Sequence, residues 1–186
     1  MTLLALAAGL FASNQAMAQL KVGDAAPSFE STGDDGKTWK SADHVGKKII
    51  VVYFYPADFT GGCTKQACAY RDDFKKLSEK GVEVVGVSGD TVKTHGFFKK
   101  EHNLPFTLLA DEEGAVAKKF GAPVNVNPAS ATVKIGGAEQ IVERGATIKR
   151  WTFVIGKDGK IAYIDNKVNA AEDSKKIAEV VDKLSK

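Results

Sequence analysis

The sequence contains no basic stretch longer than a doublet, although it carries 26 basic and 23 acidic side chains and a formal charge of +3. Nucleic-acid binders gather their Lys and Arg into a stripe or an arm, so this dispersal argues against that class. No apolar run approaches the roughly 20 residues a membrane-spanning helix needs. From Gln19 onward there is no linker, repeat or low-complexity segment. Cys63 and Cys68 are the only cysteines, and His44, His95 and His102 the only histidines. Their spacing fits no compact zinc pattern, so neither a metal nor a cofactor is expected. The histidines read as solvated, two of them on one surface helix.

At 186 residues with 44% hydrophobic content, the chain suits one domain with an ample core. Its first residues differ from the rest. Residues 3–12 form an apolar run of signal-peptide length, and Ala16-Met17-Ala18 offers a small-x-small cleavage pattern. The reading is a signal peptide over 1–18, a domain over 19–186, and an exported, periplasmic protein that meets no membrane after cleavage. No cysteine near the cut would carry a lipid anchor. No Lys or Arg precedes the run, so a start upstream of Met1 would be needed to supply a basic n-region. A buried N-terminal helix is the alternative, since small residues also favour helix.

Residues 29–40 predict a hairpin turning at Gly33-Asp34-Asp35-Gly36. Residues 49–55 are continuously β-branched and aromatic, as in a central strand buried on both faces. From 63 to 80, Cys63, Ala67, Tyr70, Phe74 and Leu77 recur at helical spacing, and Gly81 is a natural stop. A second buried strand follows at 82–88, then a helix from Asp90 or Thr91 to about His102, a short strand at 107–110 and a short helix at 113–120. Residues 131–147 alternate around Gly136-Gly137, a hairpin turn rather than a phosphate loop. Strands at 150–155 and 161–164 flank the turn at Lys157-Asp158-Gly159-Lys160. Asn169 with Glu172 suggests a capping box for a last helix burying Ile177, Val180, Val181 and Leu184. Trp39 and Trp151 read as packing residues. This order implies an α/β fold, a central mixed sheet covered by helices on both faces, with the 56–63 segment at the carboxyl end of a central strand.

That segment carries the chemistry. Cys63 falls in the first turn of a helix, where free N–H groups and the helix dipole stabilise a thiolate, the nucleophilic form of cysteine. Gly61 and Gly62 leave room for a small substrate, Thr60 supplies a hydroxyl, and Pro56 stiffens the loop. For Thr60 and Pro56 alone, ordinary turn chemistry reads equally well.

The cysteine spacing is informative. Residues five apart in a helix have Cα atoms about 8–9 Å apart and point about 140° apart. A disulfide tolerates at most about 7 Å. Cys63 and Cys68 therefore cannot bond while the helix is intact, but unwinding its first turns removes the obstacle. A permanent staple is the alternative, and it would break a strongly patterned helix for little gain.

Pro56-x-x-x-Thr60-x-x-Cys63 resembles the peroxiredoxin active-site signature. Cys63-Thr64-x-Gln66-Ala67-Cys68 with Tyr70-Arg71-Asp72 is similar to the bacterioferritin comigratory protein, or peroxiredoxin Q, branch. Ser88-Gly89-Asp90 leading to His95 and Phe98, Leu104-Pro105-Phe106, Leu108-Leu109-Ala110-Asp111 and Arg150-x-Thr152-Phe153-Val154-Ile155 agree with it. Gly61 stands where that branch often has proline, and residues 122–149 exceed its usual connection. The resemblance implies a thioredoxin-like fold and a thiol peroxidase. In it Cys63 would be the peroxidatic residue and Cys68 the resolving one. Thr60 would orient the peroxide, Pro56 would shield the sulfur, and Arg150 would stabilise the thiolate and the departing oxygen. A hydroperoxide would be the substrate, a thioredoxin-like dithiol the reductant, and the chain a monomer. Read from the residues alone, a thiol–disulfide carrier remains open, although that class normally separates its cysteines by two residues. So do a copper-delivering module, for which no histidine ligand is evident near the pair, and a noncatalytic stapled domain.

Overall fold

The computed structural model describes residues 19–184; the segment read as a signal peptide lies outside them. In chain order the elements are β1 Glu30–Gly33, β2 Thr38–Lys40, β3 Ile49–Phe54, α1 Gly61–Glu79, β4 Val82–Ser88, α2 Val92–His102, β5 Thr107–Ala110, α3 Ala115–Phe120, β6 Val124–Ile135, β7 Ala138–Ile148, β8 Trp151–Ile155, β9 Ile161–Asp165 and α4 Asp173–Leu184. Every residue of β3 is buried. Because strand side chains alternate between faces, Ile49, Val51 and Tyr53 join one core with Tyr70, Leu77, Phe98, Ile177 and Val181. Ile50, Val52 and Phe54 join another with Phe29, Val116, Phe120 and Phe153. One face of the sheet thus carries α1, α4 and the Phe98 edge of α2, and the other carries α3.

The sheet has seven strands in the order β2-β1-β5-β4-β3-β8-β9. Strands β3, β4 and β5 run parallel, and the outer strands join antiparallel. This is the expected mixed sheet with helices on both faces. At the start of α2, Thr91 caps the helix by accepting a bond from the Thr94 amide.

Three local expectations are corrected. The hairpin expected at 131–147 is longer, pairing from Val124 with Ile148 out to Ile135 with Ala138. An irregularity between Val126 and Ala129, at Pro128, breaks the period-two pattern and conceals its first half. The turn itself, Gly136 and Gly137 with φ of 56° and 89°, suits a two-residue hairpin. Second, α4 starts at Asp173, and Asn169 instead closes a side-chain turn on the Ala171 amide at 3.2 Å. Third, Leu184 is 43% exposed, at an open cavity it shares with Val22, while Ile177 and Val181 are fully buried.

The β6–β7 ribbon docks at the carboxyl end of β4. The Gly145 amide donates to the Gly89 carbonyl at 2.8 Å, and the Thr91 amide to the Glu143 carbonyl at 3.0 Å. Gly89 is required by this approach, because a Cβ there would lie 2.1 Å from the Ala146 carbonyl oxygen. The ribbon therefore ends beside the loop that follows β3.

Candidate active site

The loop from Pro56 to Thr60 joins β3 to α1. Phe59 adopts φ of 59°, a left-handed conformation uncommon for a bulky residue. Its ring is held edge-on against Phe98, 5.1 Å between centroids. Thr60 then returns to extended backbone (φ −84°, ψ 147°), and its carbonyl accepts the Thr64 amide at 2.9 Å to open α1. Its hydroxyl donates to the Ala57 carbonyl at 2.9 Å.

Cys63 is the third residue of α1 and only 1% exposed. Arg150, in the link between β7 and β8, donates from Nη2 to Cys63 Sγ at 3.1 Å. Its Nη1 donates to Gln66 Oε1, so the planar fork bonds two residues of α1 at once. Gly62 lies against the guanidinium, and a Cβ there would stand 3.4 Å from Arg150 Nη2, an ordinary contact distance. Pro56, Val124, Ile148 and Arg150 line a mostly apolar hollow at the base of the ribbon. Cys68 lies farther along the same helix, half-buried, and both thiols are free.

The structure thus brings Cys63, Arg150 and Gln66 into direct contact, with Thr60 and Pro56 on the adjoining loop and Cys68 five residues farther along α1. Gln66 stands in the Cys63-to-Cys68 motif, but the sequence alone assigns it no role. Its signal was a polar residue three positions after Cys63, on the face that the apolar spacing marks as buried.

The expectation of solvated histidines fails for His95, which is fully buried. Its Nε2 lies 3.2 Å from the Leu109 carbonyl oxygen, which can only accept, so this nitrogen carries a hydrogen. Its Nδ1 lies 2.8 Å from Asp58 Oδ2. Asp58 also accepts the Tyr55 hydroxyl at 2.8 Å, and its amide donates to Asp90 Oδ2 at 2.9 Å. The Ser88 hydroxyl donates to that same Asp90 oxygen at 2.6 Å. A helix that looks superficial from its Lys-rich sequence therefore turns one face into this network. Burial, joined by the charge of Asp58, pushes Asp90 up to about 6. For His95, burial opposes the charged form, but the charge and hydrogen bond of Asp58 outweigh it and raise the pKa above the ordinary histidine value. Among the described residues, no group of three His, Cys, Asp or Glu could hold a metal ion, and no helix is long and apolar enough to cross a membrane.

The chain is similar to known proteins in sequence and in fold. A model of the AhpC/TSA family matches residues 22–164. A chloroplastic peroxiredoxin Q from Oryza sativa subsp. japonica is 40% identical over 159 residues, covering 86% of this chain. The chain spans only 64% of that rice protein's length. A Coxiella burnetii protein named as a peroxiredoxin, bcp, is 40% identical over 165 residues, covering 89% of this chain and 99% of its own. Among solved structures, peroxidoxin BcpB from Mycobacterium tuberculosis superposes with a TM-score of 0.73 at 28% identity, covering 89% of this chain and 99% of that one. The thioredoxin-like peroxiredoxin fold is therefore the fold of this chain.

The comparisons overturn the expectation of an exported, periplasmic protein. The compartment that the plant relatives' names give is the chloroplast, an organelle. The physical reason is that a short apolar run followed by a small-x-small pattern is not specific to export, since the same small residues also favour helix. With the family model matching residues 22–164 and 40% identity to a peroxiredoxin Q over 86% of its length, the chain belongs to the AhpC/TSA family.

Proposed function

We propose that this chain, through one domain spanning 19–186, is a thiol-dependent peroxidase that reduces hydrogen peroxide and organic hydroperoxides. The observation that carries the reading is the contact of Arg150 Nη2 with Cys63 Sγ in the first turn of α1. A guanidinium donor and the free N–H groups of a helix amino end converge where charge moves from sulfur to the departing oxygen, and family membership supports the same reading.

The Cys63 thiolate attacks one peroxide oxygen, the O–O bond breaks, and the other oxygen leaves as alkoxide or hydroxide and takes up a proton. Cys63 becomes a sulfenic acid. Arg150 is placed to stabilise charge on the departing oxygen. The Thr60 hydroxyl turns from the Ala57 carbonyl to orient the peroxide, and Pro56 shields the sulfur from water. The first turns of α1 then unwind, Cys68 attacks the sulfenic sulfur, water leaves and a Cys63–Cys68 disulfide forms. A thioredoxin-like dithiol reduces that disulfide and restores both thiols. Both cysteines lie on one helix, so a monomer suffices.

Stopped-flow reaction of the reduced protein with hydrogen peroxide tests this. Cys63→Ser should abolish the fast phase, whereas Cys68→Ser should complete one turnover and accumulate the sulfenate. Equal slow rates in wild type and both variants would instead favour a thiol–disulfide carrier.

A further inference from the structure

Asp173, the first residue of α4, is 2% exposed. A carboxylate at a helix amino end ordinarily faces that helix's own free N–H groups. This one turns inward and gathers side chains from two other elements. Its Oδ2 accepts Gln66 Nε2 at 2.7 Å and the Tyr70 hydroxyl at 2.8 Å, both from α1, and the Thr152 hydroxyl of β8 at 2.8 Å. Its Oδ1 is buried without a hydrogen-bond partner. Burial raises its pKa, against the lowering effect of its three donors.

Gln66 is the residue that matters among those donors. It lies between Cys63 and Cys68 in sequence, it is fully buried, and its other amide atom accepts Arg150 Nη1. Its side chain therefore joins Asp173 on one side to the Arg150–Cys63 contact on the other. Disulfide formation requires the segment from 63 to 68 to leave its helical form, and Gln66 cannot move with it while both amide ends stay bonded.

Resting on the peroxidase reading, we infer that Asp173 is a positioning residue which, through Gln66, pins Arg150 and the Cys63-bearing turn in the peroxide-reactive form and so sets the rate of unwinding. Removing the pin affects the two half-reactions in opposite directions. Attack on peroxide slows because Arg150 loses its anchor, and disulfide closure accelerates because the helical turn is easier to release.

The test is stopped-flow measurement of both steps, peroxide consumption and disulfide closure, in wild type and variants. Asp173→Ala should slow the first about tenfold and accelerate the second about tenfold, the scale of one charge-assisted hydrogen bond. Asp173→Asn keeps an acceptor oxygen and should recover most of both effects. Should Asp173→Ala fail to fold, Gln66→Met breaks the same link at the other end and must show the same opposed changes. Combining Gln66→Met with Asp173→Asn should add nothing further. Ser174→Ala is the control: it loosens the same helix pair by removing the 2.7 Å bond to Asp73 without touching Gln66. Both steps changing in the same direction, no change in either, or equal effects from Ser174→Ala would overturn the pin. A wild type that fails to consume peroxide would overturn the peroxidase reading instead.

Discussion

His95 Nδ1 and Asp58 Oδ2 lie 2.8 Å apart with neither side chain exposed, tying α2 to the loop that presents Cys63. With Asp90 close by, this cluster gives the fold a dependence on pH whose sign is fixed. His95 has a raised pKa in the folded chain, so its stabilising contribution is fully present below the ordinary histidine value and is lost as pH rises through the folded one. Asp90 is raised from 3.8 to about 6, so the folded state prefers its neutral form and loses stability as pH climbs between those values. Both groups make the native state bind more protons than the unfolded one. For Asp90 the shift corresponds to about 3 kcal/mol, at about 1.4 kcal/mol per unit. Urea midpoints from pH 4 to 8 should show Asp90→Asn flattening the fall between pH 4 and 6. His95→Asn should remove the fall that begins near neutrality, while costing about 3 kcal/mol overall because Asp58 loses its buried partner. Slopes identical to wild type in both variants would show that the cluster does not titrate with folding.

A second prediction concerns the Arg150 fork. One guanidinium spans Cys63 Sγ and Gln66 Oε1 simultaneously, which an ammonium cannot do with the same rigid geometry. Arg150→Lys should therefore slow the reaction of reduced protein with peroxide by about 10- to 100-fold, and Arg150→Met by more, on the scale of losing one preorganised donor. The rate of disulfide reduction by an added dithiol should change far less, since Arg150 acts on the helical form. Second-order rate constants for the two steps decide it. A Lys variant as fast as wild type would leave charge alone, rather than the fork, as the requirement.

The sequence made the site visible where a single physical rule governed it. The helix-start position of Cys63 follows from Pro56, Gly61 and the apolar spacing beyond, and the distance argument against a Cys63–Cys68 bond needs only helix geometry. What could not be read depends on which distant elements meet. Gln66 looks like one polar residue on an amphipathic helix until Arg150, 84 positions away, reaches it. His95 sits among Lys93, Lys99 and Lys100, so composition places it in water, and only the packing of α2 against β5 and the Asp58 loop takes it inside. The β6–β7 ribbon was half legible because Pro128 interrupts the alternation that marks a strand. The export reading failed for a different reason: a short run of small apolar residues is a weak signal that a helix shares.

A last prediction follows from Gly61, the first residue of α1 after the extended Thr60. Proline is favoured at this position, since the amide there has no partner within the helix and the helical φ suits the ring. The residue ahead of a proline must be extended, and Thr60 already is, with ψ of 147°. No atom stands within 4 Å of a Cβ built on Gly61, so the side chain has room. Gly61→Pro should then stabilise the reduced protein by about 1 kcal/mol, mostly by restricting the unfolded chain. The same restriction acts on the locally unwound form that joins Cys63 to Cys68, so disulfide closure should slow by about threefold to fivefold while attack on peroxide is retained. Thermal melting of the reduced protein and stopped-flow closure rates measure the two effects on one sample. If the variant melts higher yet closes its disulfide as fast as wild type, unwinding begins beyond the first turn of α1, and the segment around Gln66 rather than Gly61 controls it.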